Sequence, residues 1–253
     1  MTFQVIAGPC SLENCEMAIT TARFLKSLGV ETMRASIFKM RTCPKSWRGL
    51  ETEGVDVLKT LKESFPDLKL VCEVRSLEDF ELVTEWIDVI QIGTRNSQNF
   101  YLIEKLSERL ATSQTLLLKR GMGMTVKEFR DAQHYAADPN KVWLCERGIR
   151  TFEKATRNTL DISAVPVLKS ENKNTKVFID PSHSSGEAAY IPPLILAAKA
   201  VGADGVIVEI HPEPQRARTD SQQALDFKTF ELTMEKLSHV PHFTYENTTS
   251  VSW

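Results

Sequence analysis

A single (β/α)8 TIM barrel is the fold class that the sequence predicts, and three observations carry it. Eight short runs of β-branched and apolar residues are spread through 253 residues, and amphipathic segments of helical period lie between them. Neither a GxGxxG after the first run nor a low-complexity linker interrupts the alternation, so a closed barrel suits the pattern better than a doubly wound sheet.

The first strand is read in "FQVIAG" (3–8), followed by a helix over 16–28. "VETMRA" (30–35) is the second strand; after a long basic loop comes a helix over 55–65. "LKLVCEV" (68–74) leads into a helix over 77–85, "WIDVIQIG" (86–93) into one over 100–110, and "QTLLLKRG" (114–121) into one over 126–137. The sixth strand, "KVWLCERG" (141–148), is followed by the least regular helical pattern, around 156–164. "TKVFIDPS" (175–182) and a helix over 192–201 precede "DGVIVEIH" (204–211), and the last helix falls near 222–236. One barrel domain is expected over 1–239, with 240–253 a Thr- and Ser-rich tail, disordered or packed on the barrel or a neighbouring subunit.

At 42% hydrophobic and 25% charged residues the chain can bury one large core. A formal charge of −2 argues against a nucleic-acid or membrane-surface binder, which carries excess Lys and Arg over the whole domain. Five scattered cysteines without a CxxC pair suggest neither a disulfide framework nor a zinc ribbon, and a reducing cytoplasm is expected. "TFQVIAGPC" lacks the marks of a signal peptide, and no uncharged run reaches transmembrane length.

Any cationic function must therefore be local, and "RASIFKMRTCPKSWRG" supplies it: Arg34, Lys39, Arg41, Lys45 and Arg48 without an acid among them. Barrel chemistry sits at the C-terminal strand ends. Those ends carry Cys10, Arg34 with Lys39 and Arg41, Glu73, Gln91 with Arg95, Lys119 with Arg120, Glu146 with Arg147, Asp180 with His183, and Glu209 with His211. Two like charges 4 Å apart repel by roughly 4 kcal/mol at an effective dielectric near 20. Arg34, Lys39, Arg41, Arg95, Lys119 and Arg147 converging on one mouth thus imply a multiply anionic ligand, two phosphates or a phosphate and a carboxylate.

A second set, Cys10, His183, Glu209 and Asp220, mixes sulfur, imidazole and carboxylate donors, which suits a divalent transition metal without selecting among Mn, Fe, Co and Zn. From the residues alone an inert Cys10, a satisfied turn histidine and helix-capping acids remain an equal alternative. His211, two positions after Glu209, is expected on the same side, behind that set.

Seven motifs in order, "IAGPCS", "FKMRT", "QIGTRNSQNF", "LLLKRGM", "LCERGIRTFE", "IDPSHSSG" and "VEIHPEPQRARTDSQQAL", resemble those of the 3-deoxy-D-arabino-heptulosonate 7-phosphate (DAHP) synthases, type I beta branch. These are related to the 3-deoxy-D-manno-octulosonate 8-phosphate (KDO8P) synthases. The resemblance implies a metal-dependent, aldol-type condensation of phosphoenolpyruvate with erythrose 4-phosphate, at the entry to the shikimate pathway. By matching motif it implies Cys10, His183, Glu209 and Asp220 as metal ligands, and Arg34, Lys39, Arg95, Lys119 and Arg147 as the phosphoenolpyruvate site. Arg41 and Thr42 match the erythrose 4-phosphate site; Lys119, His183 and Cys10 fall in the catalytic set, Lys119 or His183 as proton donor. It also implies a homo-oligomer, tetramer or dimer. Met40 stands where the family commonly has Pro, and Glu187 where a basic residue is usual. The chain opens on its first strand, so feedback through a fused N-terminal domain is not expected.

Three rivals are separable. The octulosonate branch acts on arabinose 5-phosphate, but "KMRT" and "GTRNSQNF" match the heptulosonate branch. A Schiff-base aldolase would use Lys119 as nucleophile, and a non-catalytic phosphate-binding barrel would be indifferent to Cys10→Ala. Loss of activity in EDTA, restored by Mn or Co, is the expected outcome; borohydride trapping of substrate on Lys119 would sink the metal reading.

Overall fold

In the computed structural model, which describes residues 3–245, eight parallel strands pair in chain order and the last closes on the first. The strands are β1 (Gln4–Gly8), β2 (Thr32–Arg34), β3 (Lys69–Val74), β4 (Val89–Ile92), β5 (Thr115–Lys119), β6 (Val142–Glu146), β7 (Val177–Ile179) and β8 (Gly205–Glu209). Closure pairs Gln4 through Gly8 with Gly205 through Glu209. Around the barrel lie α1 (Cys15–Ser27), α2 (Val55–Ser64), α3 (Leu77–Val83), α4 (Phe100–Arg109), α5 (Val126–Gln133), α6 (Ala164–Glu171), α7 (Pro181–Ser185), α8 (Ile191–Ala200) and α9 (Phe227–Ser238). The predicted fold class is the observed one.

Local chemistry starts the helices where the sequence changes period. Asn14, Ser76, Asn99, Thr125 and Asp226 each accept a backbone N–H of the first turn, and Thr125 with Glu128 forms a reciprocal capping box. The apolar faces then pack on the outside of the sheet in the larger of two cores, which includes Leu25, Leu58, Leu61, Ile103, Phe129 and Phe230.

The smaller core fills the barrel: Ile6, Val71, Val89, Leu117, Cys145, Phe178 and Ile207, with Trp143 stacked on Phe178 at 4.9 Å. Successive strand side chains alternate faces, so the residue two places further on also points inward. Those residues are Gly8, Glu73, Gln91, Lys119, Arg147, Asp180 and Glu209. An apolar plug thus lies directly beneath a layer of ionisable groups. Gly8 is required there, because a Cβ would stand 2.3 Å from the Arg34 carbonyl oxygen.

Three expectations are corrected. No helix forms over 156–164: α6 begins at Ala164, and the preceding backbone bonds sideways, Thr159 N–H to Ile149 and Asn158 N–H to Ser184. That segment is rich in Thr, Asn and Asp, which compete poorly for helix. The end of "TKVFIDPS" is α7, a five-residue helix with Pro181 in its first turn. The last helix starts at Phe227 rather than 222, since Gln223 turns inward to Glu209.

At the opposite end of the barrel, His242 Nε2 lies 2.8 Å from the Ala203 carbonyl and Tyr245 donates to the Val201 carbonyl, so residues 240–245 pack against the barrel. The rest of the tail, 246–253, lies outside the described residues. Phe178→Ala would empty the centre of the plug, and a loss of about 3–5 kcal/mol is expected from the midpoint of denaturant unfolding, with an unchanged slope.

Candidate active site

Four chain segments meet over the plug. Cys10 follows β1, His183 sits in α7, Glu209 ends β8, and Asp220 lies in the loop before α9; one donor atom from each falls within 4.8 Å of the others. Cys10, His183 and Glu209 are buried. Asp220 adopts a left-handed backbone, φ 50°, which a non-glycine residue holds only when its surroundings impose it.

Asp180 organises the imidazole. It is wholly buried, caps α7 by accepting the His183 N–H at 2.9 Å, and accepts the ring Nδ1–H at 2.7 Å. It also ion-pairs with Lys119. Burial opposes its charge, but His183 and Lys119 hold the carboxyl well below the usual range. Burial lowers His183 to about 4, against the pull of Asp180 and Glu209. Nδ1 faces Asp180, and Nε2 stands 3.3 Å from Glu209 Oε1, directed into the donor set.

Two cations close the set from the side. Arg34 Nη1 stands 2.8 Å from Glu209 Oε1 and its Nη2 donates to the Cys10 carbonyl at 3.1 Å. Lys39 contacts Cys10 Sγ and pairs with Asp220 Oδ2 at 3.1 Å. Burial drives the Cys10 thiol up, with Glu209 adding to the effect; the thiol lies 3.0 Å from Asp220 Oδ2. Glu209 is pushed up by burial but brought below its ordinary value by His183, Arg34 and Lys39. One sulfur, one imidazole nitrogen and two carboxylate oxygens, buried and convergent, fit a borderline divalent cation; binding it would require loss of the thiol proton.

Beside this set opens a cavity of about 240 Å³, lined by Lys39, Arg41, Arg95, Lys119, Arg147 and Arg157 against Glu73 and Asp220. Three of the six cations have carboxylate partners: Lys39 and Arg157 on Asp220, Lys119 on Asp180. Arg41, Arg95 and Arg147 have none among the described residues. Arg147 is the extreme case, 2% exposed, with its charged form disfavoured by burial and only the Gly148 carbonyl at 3.4 Å as hydrogen-bond partner. Arg95 donates to Thr42 at 2.8 Å, joining the loop after β4 to the basic loop after β2. That basic loop is pinched at its base by a Phe38–Gly49 bridge and the Lys39 N–H to Arg48 carbonyl bond.

All the residues singled out in the sequence thus line one end of the barrel, while Lys45 and Arg48 stay exposed on the loop. His211 departs from expectation: it faces Glu13 and Glu213 rather than the donor set. Sequence reasoning missed Asp180 as the orienter of His183, although its inward parity with Phe178 was a usable signal. It also missed Arg157, hidden inside the segment read as a helix. A larger cleft, about 570 Å³, opens at the N-terminal ends of β6 and β7, but its Arg130 is already paired with Glu171 and Asp131.

Cys43, fully exposed on the basic loop, is held below the ordinary thiol range by the Lys45 N–H and the Ser46 hydroxyl. Burial instead raises Cys72 to about 12. Because a lowered pKa brings the thiolate in at lower pH, Cys43 is expected to be alkylated first by iodoacetamide near neutral pH, ahead of Cys15, with Cys10, Cys72 and Cys145 protected. Peptide mapping by mass spectrometry checks the order.

The sequence pattern of the DAHP synthetase I family matches residues 1–242. A Thermotoga maritima protein named phospho-2-dehydro-3-deoxyheptonate aldolase is 46% identical over 93% of this chain and 69% of its own. A crystal structure of the aldolase (DAHP synthase) from that organism superposes with a TM-score of 0.87 at 45% identity, covering 94% of this chain and 68% of the other. A Cupriavidus necator protein named 2-dehydro-3-deoxyphosphooctonate aldolase is more distant, 27% identical over 88% of this chain and 83% of its own. With the pattern matched along nearly the whole barrel and the fold shared, the chain belongs to the DAHP synthetase I family.

Proposed function

We propose that this chain condenses phosphoenolpyruvate with erythrose 4-phosphate, forming 3-deoxy-D-arabino-heptulosonate 7-phosphate and inorganic phosphate, the first step of the shikimate pathway. The observation that carries the reading is the placement of three cations without carboxylate partners, Arg41, Arg95 and Arg147, around a cavity that adjoins a four-donor ligand set. The greater similarity to the heptonate enzyme than to the octonate enzyme supports the four-carbon aldose over arabinose 5-phosphate.

Arg95, Lys119 and Arg147 hold phosphoenolpyruvate, with Arg34 and Lys39 completing the charge balance behind it; Arg41 and Thr42 take the phosphate of the aldose. Arranged so, the two anions hold the enol carbon against the aldehyde, and positioning supplies much of the rate. Cys10, His183, Glu209 and Asp220 would hold a divalent metal, and the chemistry it would supply there is Lewis-acid polarisation of the aldehyde oxygen. The enol carbon attacks the aldehyde carbon, water adds to the resulting cationic C2, and phosphate leaves. We assign proton donation to the new alkoxide to Lys119, because the two ring nitrogens of His183 are engaged, Nδ1 with Asp180 and Nε2 with the ligand set. The Lys119–Asp180 ion pair weighs against a Schiff-base role, in which that nitrogen would have to act as a free amine.

Five free cysteines support a reducing cytoplasm. Phosphate release from phosphoenolpyruvate is expected with erythrose 4-phosphate and not with arabinose 5-phosphate; equal rates would overturn the assignment. Arg147→Ala is expected to lower kcat/KM for phosphoenolpyruvate at least about 30-fold, the equivalent of about 2 kcal/mol.

A further inference from the structure

Unlike His183 and Glu209, Asp220 has no strand or helix to carry it, and unlike Cys10 it does not stand just beyond the end of a strand. It lies in a loop that leaves β8 at Ile210 and returns at Leu225, where the two residues bridge and the His211 N–H bonds the Leu225 carbonyl at 2.9 Å. That clasp fixes the ends of the loop; in its middle the Asp220 carboxylate meets Cys10, Lys39 and Arg157, and the backbone leading into it needs a hold of its own.

For that backbone, one hold comes from the loop after β1. Glu13 Oε1 accepts the backbone N–H of Arg218 at 2.7 Å, two residues before Asp220. His211 stands behind it: its Nδ1 accepts the Glu213 N–H at 3.0 Å, so Nε2 carries the proton in the neutral ring. That Nε2 is buried without a hydrogen-bond partner, 3.7 Å from Glu13 Oε1, and its N–H dipole favours a carboxylate there. Arg218 in turn lies over Trp47 at 4.3 Å, tying the same loop to the basic loop after β2. Glu13 is itself three residues beyond Cys10, so one short segment carries a donor and the clasp of another donor.

We infer that Glu13 is a positioning residue that holds Asp220 in the ligand set by fixing the Arg218 backbone. The inference rests on the metal reading of the proposed function. Its test is titration of metal-free protein with Co(II), read by the thiolate-to-cobalt absorption band of Cys10, with the thermal midpoint of the metal-free protein measured alongside. Glu13→Ala is expected to weaken Co(II) binding about 10–100-fold. Glu13→Gln, whose amide oxygen still accepts the Arg218 N–H, should stay within about threefold of the parent, a choice that follows from hydrogen-bond chemistry. In an Asp220→Ala background, Glu13→Ala should add less than about twofold, because the group it positions is gone. If Glu13→Ala does not fold, Glu13→Asp, which withdraws the carboxylate, should show the same weakening and the same lack of additivity. Unchanged Co(II) affinity in the Glu13 variant, or losses that multiply with Asp220→Ala, would overturn the inference alone. Absence of the band in the parent protein would overturn the metal reading, and this inference with it.

Discussion

A single residue separates Phe178 from Asp180, Ile207 from Glu209, Leu117 from Lys119 and Cys145 from Arg147, and the active end of the barrel depends on that spacing. Inward-facing positions recur every second residue, so a strand that sinks an apolar side chain into the plug must present the next inward residue at the rim. Shifting a strand by one residue would exchange plug and rim with the outer face. The apolar packing of the barrel therefore fixes, to within a side chain's reach, where every charge of the layer above stands. Desolvated charges need such a frame, because a buried ion is tolerated only in accurate register with its partner.

The ionisable layer divides by how its charges are neutralised. Next to the donor set, each cation has a protein carboxylate: Arg34 with Glu209, Lys39 with Asp220, Lys119 with Asp180. Arg120, beneath the mouth, does the same structurally, bridging Glu146 at 2.7 Å and Asp161 at 2.8 Å and so fixing the turn from which Arg147 projects. Around the cavity the pairing is incomplete. Arg157 pairs with Asp220, but Arg41, Arg95 and the buried Arg147 face the cavity without such partners among the described residues, and these three mark where a ligand's charge is needed.

Much of this was legible in the sequence because strands announce themselves by β-branched runs and stop at polar residues. Cys10, Lys119, Arg147 and Glu209 could be placed at one end of the barrel by counting alone. Loops obey no such period. The segment before α6 has helical-looking spacing at Leu160 and Ala164, yet its backbone bonds go to Ile149 and to α7, and this put Arg157 into the site unseen. His211 failed for a related reason: it stands two residues past the end of β8, where its Nδ1 accepts the Glu213 N–H and Glu13 lies beside its Nε2, and these loop contacts set its direction. Asp180 was visible as a strand end, but its contact with His183 depends on a five-residue helix whose start is set by Pro181 and the Asp180 cap itself.

A buried guanidinium without a carboxylate is lowest in free energy with some anion beside it, whichever anion that is. In the proposed reaction, the interaction by which Arg147 would draw in a phosphate ester would also hold back the inorganic phosphate left behind. Capture and departure then cannot be tuned separately at that residue. On the proposed function, turnover would then depend on the dwell time of a spent ion as well as on bond making, and ambient phosphate would compete for the site.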